Sequence, residues 1–228
     1  MAHTIILNFH GVGPAPGRGF DPGEAAYWLE TDAYRDAVGR IARARDAGRP
    51  VAVTFDDGNA SDLEIAAPIL VEHRLTATFF VLAGRLGGPD ALSPADLVRL
   101  REMGMAIGTH GADHVDWRRL DATETEREMV WARGEIAVSA GLATDVIDAA
   151  AIPFGGYNSR VLRRLRAAGY RVAYTSDGGG ADTEEFVQAR TSLRRDTAPE
   201  AVEIILAGRM ALKQRLRRAA AIFVKRYV

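Results

Sequence analysis

Val51-Ala52-Val53-Thr54-Phe55-Asp56-Asp57-Gly58 is an apolar run that stops abruptly in two adjacent carboxylates and a glycine. The run reads as a buried strand. Neighbouring side chains at a strand end point to opposite sides. One acid can therefore grip a cation while the other works beside it. Buried carboxylates are costly unless paired, hydrogen-bonded or metal-bound. Asp-Gly is also a common turn signal, and on this stretch alone both readings stand.

A second cluster, Gly108-Thr109-His110-Gly111-Ala112-Asp113-His114, follows the apolar Met105-Ala106-Ile107. His110 and His114 are four apart, so one helical turn would bring both imidazoles to one side. Two histidines and one carboxylate form a common catalytic zinc set with positions open to water and substrate.

Outward from these clusters, strand and helix patterns alternate along the chain. Strands are expected at Ile5 to Phe9, Val51 to Phe55, Ala77 to Ala83, Met105 to Thr109, Val146 to Ile152, Arg171 to Thr175 and Phe186 to Leu193. Helices are expected at Asp32 to Ala47, Asp62 to His73, from Ser93-Pro94, at Thr123 to Ala140, Ser159 to Ala168 and Pro199 to Gly208. Such repeated units argue for a parallel sheet. A count of about seven strands suits a single-domain α/β barrel better than an open sheet. His10, Asp56, Asp57, His110, Pro153, Phe154, Asp177 and the Arg190 to Arg194 region all fall at or just past expected strand C-termini, the face where (β/α) barrels hold their active sites.

The two clusters together resemble the first two motifs of the NodB-homology polysaccharide deacetylases, carbohydrate esterase family 4. The resemblance runs from about Ile5 to Leu206. It implies a seven-stranded distorted barrel, Asp56 as general base, and Asp57, His110 and His114 as ligands of a divalent metal. Zinc suits these ligands; cobalt, nickel or manganese would also bind. The implied reaction is removal of an N-acetyl or other small N-acyl group from a sugar or glycan. The implied oxyanion donor is the backbone N–H of Phe154, in Pro153-Phe154-Gly155. Two departures stand out. Ala151 occupies the position where many members carry an Arg that holds the base, and Arg190 or Arg194 can reach Asp56 instead, or serve as surface or substrate contacts. No histidine follows His114, so the family's C-terminal general acid has no counterpart. His10 is the candidate acid, with orientation of a ligand as its other reading. Asp177 is expected to line the groove and bind sugar hydroxyls or to sit in a solvated turn, and Trp117 to stack on a sugar or pack in the core. A non-catalytic glycan-binding barrel, an O-acetyl esterase and a metal-independent amidohydrolase remain as alternatives.

The net charge of −1 gives no reason to expect nucleic acid, and the absence of cysteine excludes disulfides and thiolate metal sites. The N-terminus shows no basic and apolar leader, from which a cytoplasmic location is expected. Residues 1–208 are expected to form the barrel and 209–228 a basic C-terminal helix. Leu212, Leu216, Ala219, Phe223 and Tyr227 form an apolar stripe at helical spacing. Six cations and no acid accompany it, leaving −7 on the rest of the chain. Packing on the barrel and contact with an anionic membrane surface are its two readings; the second suits a lipid-linked substrate such as an N-formylated amino sugar.

Overall fold

A computed structural model describes residues 3–21, 23–209 and 212–227. The strands are β1 (Thr4–Phe9), β2 (Val51–Phe55), β3 (Thr78–Val81), β4 (Ala106–Thr109), β5 (Ala149–Ala151), β6 (Val172–Thr175), β7 (Gly180–Ala181), β8 (Val187–Ala189) and β9 (Thr191–Ser192). The helices are α1 (Thr31–Asp46), α2 (Ala67–Glu72), α3 (Pro94–Glu102), α4 (Ala122–Thr125), α5 (Ala132–Ser139), α6 (Ser159–Ala167), α7 (Pro199–Leu206) and α8 (Leu212–Tyr227). Strands β1 to β6 pair in chain order as parallel neighbours, and β8 follows β6. Strand β9, one residue past β8, pairs parallel with β1 through Leu7↔Thr191 and Asn8↔Ser192. The chain thus returns to its first strand and nearly closes the sheet into the expected barrel.

The expected last strand, Phe186 to Leu193, is split at Arg190 into β8 and β9. Strand β7, which the sequence pattern does not reveal, pairs antiparallel with the start of β1. The long helix expected at Thr123 to Ala140 is α4 and α5 joined by a π-helical turn, Glu126–Trp131. Helix α3 begins as its sequence indicates. Ser93 Oγ accepts from the Asp96 N–H, the Asp96 carboxylate accepts from the Ser93 N–H, and Pro94 opens the helix.

Strand periodicity decides what faces the barrel interior. Phe9, Phe55 and Phe79 lie side by side in register. Their rings stack at 5.3 and 4.7 Å, and Phe9 meets the edge of Tyr34 on α1. This face packs under the helices. The intervening positions point the other way, which puts Asn8 and Thr54 inside the barrel, where Arg190 bonds both. Phe80 and Tyr174 also meet there, with ring centroids 5.2 Å apart.

Helix α8 lies against the barrel. Among its described side chains, Arg218, Ile222 and Lys225 form one helical stripe of intermediate exposure. Arg218 donates from Nε to Asp177 O (3.2 Å), and Lys225 Nζ donates to Asp177 Oδ1 (2.6 Å) and Gly155 O (3.1 Å). The barrel surface offers acceptors here, so the helix turns donors toward it. Leu216, Phe223 and Val224 are 64%, 60% and 55% exposed. The side chains of Leu212 and Tyr227 lie outside the described residues. No helix among the described residues is long and apolar enough to cross a membrane.

Candidate active site

The end of β2 delivers both acids. Phe55 points toward the helices, so Asp56 points inward, and its N–H donates to Phe9 O (3.0 Å). Arg190 meets it with a bidentate pair, Nη1 to Oδ1 at 2.7 Å and Nη2 to Oδ2 at 2.8 Å. Asn8 Nδ2 adds a bond to Oδ2 at 2.9 Å, while Asn8 Oδ1 accepts from Arg190 Nη1 and Thr54 Oγ1. The guanidinium lies between the rings of Phe80 and Tyr174, 5.2 and 5.7 Å from their centroids. Burial pushes the Asp56 carboxyl up, but Arg190, with His110 and His10, outweighs it and holds Asp56 well below the usual carboxylate range. Arg190 is 1% exposed. It is not a surface contact, and it pairs with the carboxylate that Ala151 leaves without an arginine. Arg194 pairs instead with the exposed Asp196 and lies over Tyr27.

Asp57 turns away with φ 79°, followed by Gly58 at 69°. A Cβ on Gly58 would come within 2.9 Å of Val81 Cγ1, so glycine is required by both conformation and space. Asp57 Oδ1 lies 3.5 Å from His110 Nε2 and 3.7 Å from His114 Nε2. The three donor atoms fall within 4.8 Å of one another. Tetrahedral ligands at about 2.1 Å from one ion sit about 3.4 Å apart. His110 Nδ1 lies 2.9 Å from Ala151 O. A carbonyl can only accept, so Nδ1 carries a proton, and Nε2 is the ring atom left to ligate. Burial and the neighbouring His110 push the His114 imidazole down to about 4, which keeps it neutral and able to ligate. Asp57 Oδ1 is buried with no hydrogen-bond partner among the described residues. These residues fit a divalent metal.

The two histidines are not on a helical turn, contrary to the spacing argument. Gly111 has φ 90° and His114 φ 53°, both incompatible with a right-handed helix. The loop is shaped by Glu128, which sequence reasoning missed. Its buried carboxylate accepts from the N–H groups of Ala112 and Asp113 (both 3.0 Å) and from Trp117 Nε1 (3.1 Å). A Cβ on Gly111 would lie 2.3 Å from Glu128 Oε2. Trp117 is fully buried and packs in the core rather than against a sugar. Glu128→Ala strands these buried donors, and we expect it to lower the unfolding free energy by about 2–4 kcal/mol. Urea titration measures this. A loss under about 0.5 kcal/mol would mean that the loop holds its own shape.

The Pro153–Gly155 turn lies beside the histidines. Phe154 has φ 57° and its ring is 4.4 Å from that of His114. Among the described residues, five non-glycine residues have positive φ, and Asp57, His114 and Phe154 are three of them. Such strain persists where surroundings impose it, often at functional sites. His10 follows Phe9 as Asp56 follows Phe55, so both stand at the same level of adjacent strands. Its ring packs 4.8 Å from Tyr27, and its buried Nδ1 has no partner among the described residues. Asp177 does not open into a groove. Its Oδ2 accepts from Tyr157 OH (2.8 Å) and Thr175 Oγ1 (2.9 Å), and Lys225 takes Oδ1.

The sequence model of the family described as polysaccharide deacetylase matches residues 43–173, more than half of the chain. The chain belongs to the polysaccharide deacetylase family. YxkH of Bacillus subtilis (strain 168), itself named for this family, is 23% identical over 173 residues, which cover 73% of this chain and 61% of the relative. A chitooligosaccharide deacetylase of Rhizobium leguminosarum bv. trifolii is 34% identical over 130 residues, 56% of this chain and 57% of the relative. The matches thus span 57% to 61% of the length of these curated relatives. The deacetylase PplD of Streptococcus pyogenes, solved in complex with acetate, superposes with a TM-score of 0.76 at 18% identity, covering 90% of this chain and 98% of that one. The family's fold is thereby matched across nearly the whole barrel.

Proposed function

We propose that the protein is a metal-dependent hydrolase that removes an N-acetyl or other small N-acyl group from a glycan unit. The observation that carries this reading is the convergence of Asp57, His110 and His114, with an orphaned buried Asp57 oxygen, beside an ionised Asp56. Asp57, His110 and His114 would hold a divalent cation, zinc being the best chemical match, which would supply Lewis-acid polarisation of the acyl carbonyl and activation of water. Asp56 accepts the proton that the attacking water gives up. Arg190 and Asn8 fix which way the Asp56 carboxylate faces. The Phe154 N–H, on its strained turn, donates to the oxygen that gains charge, a contribution on the order of 3 kcal/mol. His10 donates a proton to the departing amine. The acetate bound to PplD and the glycan substrate named for the Rhizobium relative support the acyl and sugar classes.

The test is metal content after chelator-free purification, with His110→Ala beside the wild type. We expect about one equivalent of a transition metal in the wild type, lost in the variant together with acetate release from N-acetylated oligosaccharides. A wild type that holds no metal even after reloading overturns this reading and favours the glycan-binding barrel.

A further inference from the structure

We infer that the outward face of α8 is a docking surface for an anionic lipid bilayer. The inference stands apart from the hydrolase reading, since it rests on how the helix is mounted. A surface helix normally buries its apolar stripe against its own domain. Here, among the described side chains of α8, two cations bond the barrel and three large apolar residues face outward. Arg218 and Lys225 bond Asp177 and the carbonyls of Gly155 and Gly180, and Lys225 also lies 5.0 Å from the Tyr157 ring centroid. Leu216, Phe223 and Val224 present most of their surface outward, and the alanines at 219–221 are exposed between them.

From 212 to 228 the sequence carries six cations and no acid, and Arg218 and Lys225, which bond the barrel, are only two of the six. An exposed apolar face on a strongly cationic helix is the composition of a helix lying in the headgroup layer. A second copy of the helix is a poor occupant, because it would bring six more cations and no acid. An anionic bilayer satisfies both halves of this composition, taking the apolar side chains into the acyl boundary and neutralising the remaining cations. The mounting also ties α8 to the Pro153–Gly155 turn, through Lys225 Nζ and Gly155 O.

The experiment is flotation of the full chain with vesicles of phosphatidylcholine alone, or with about 30 mol% phosphatidylglycerol. We expect co-flotation with the anionic vesicles only, weakening as salt rises. Leu216→Ser with Val224→Ser should reduce binding roughly tenfold or more. Should that pair affect folding, a second variant carries the test: Arg215→Gln, Arg217→Gln and Arg226→Gln together should also weaken binding, without touching the apolar face. Absence of flotation, or undiminished binding by both variants, overturns the proposal. So does a dimer in light scattering that the Leu216→Ser/Val224→Ser variant dissociates, because the face would then serve self-association.

Discussion

Asp56→Asn is expected to lower kcat for acyl release by about 10² to 10⁴ while leaving metal content unchanged. Asn has the shape of Asp but cannot take the proton from an attacking water. Asp57, His110 and His114 are untouched by the substitution, and their donor atoms converge without help from Asp56. The variant therefore separates metal holding from base action. It also places an uncharged amide against Arg190, whose guanidinium has only 1% exposure. A loss of stability is expected as well, so rates must be compared at a temperature where circular dichroism shows both proteins folded. Near-normal turnover with a full complement of metal would remove Asp56 as the base. No turnover by the wild type on any acylated glycan, with glycan affinity equal in the two proteins, would move the chain to the binding-barrel reading.

The parts of this site that lie at strand ends were legible in the sequence. The apolar run Val51–Phe55 ends where its pattern says, and the Asp pair and the His pair follow strands at one face of the barrel. Closure was less legible. Arg190 reaches Asp56 across 134 residues of chain, and only the pairing of β9 with β1 sets that distance. A signal did exist: strand-like residues flank an arginine, and Ala151 leaves the base without its usual partner. Arg190 sits in the break between β8 and β9, and its buried side chain enters the barrel to meet Asp56. The spacing of His110 and His114 suggested a helical turn, because four residues is one turn. Gly111 and the Glu128 carboxylate produce a left-handed loop that meets the same requirement by another path. Which residues of α8 meet the barrel was not legible for a related reason. Hydrophobic periodicity locates an apolar stripe but not what it faces, and the acceptors around Asp177 come from strands and turns distant in sequence.

Arg190→Met is expected to cost about 3–5 kcal/mol in unfolding free energy at neutral pH, because it leaves a buried carboxylate without its cation. Methionine fills the space between Phe80 and Tyr174, so little of the loss is packing. The dependence on pH identifies the cause. In the wild type the Asp56 carboxyl is held below its unfolded value, so the pair stabilises the fold above about pH 4 and that stability fades as pH falls further. In the variant, burial acts without Arg190, and the Asp56 pKa lies above the unfolded value. The variant's fold is then favoured below about pH 4 and loses stability as pH rises toward the new folded value. The gap between the two proteins should therefore be small in acid and widen toward neutrality. The acid limb of kcat/KM should move to higher pH in the variant, since the base must be ionised to act. Adding Asp56→Asn to Arg190→Met should recover most of the stability, by removing the stranded charge, and none of the activity. A stability gap that is constant across pH, or a double variant no more stable than Arg190→Met, would show that the arginine acts through packing instead of charge.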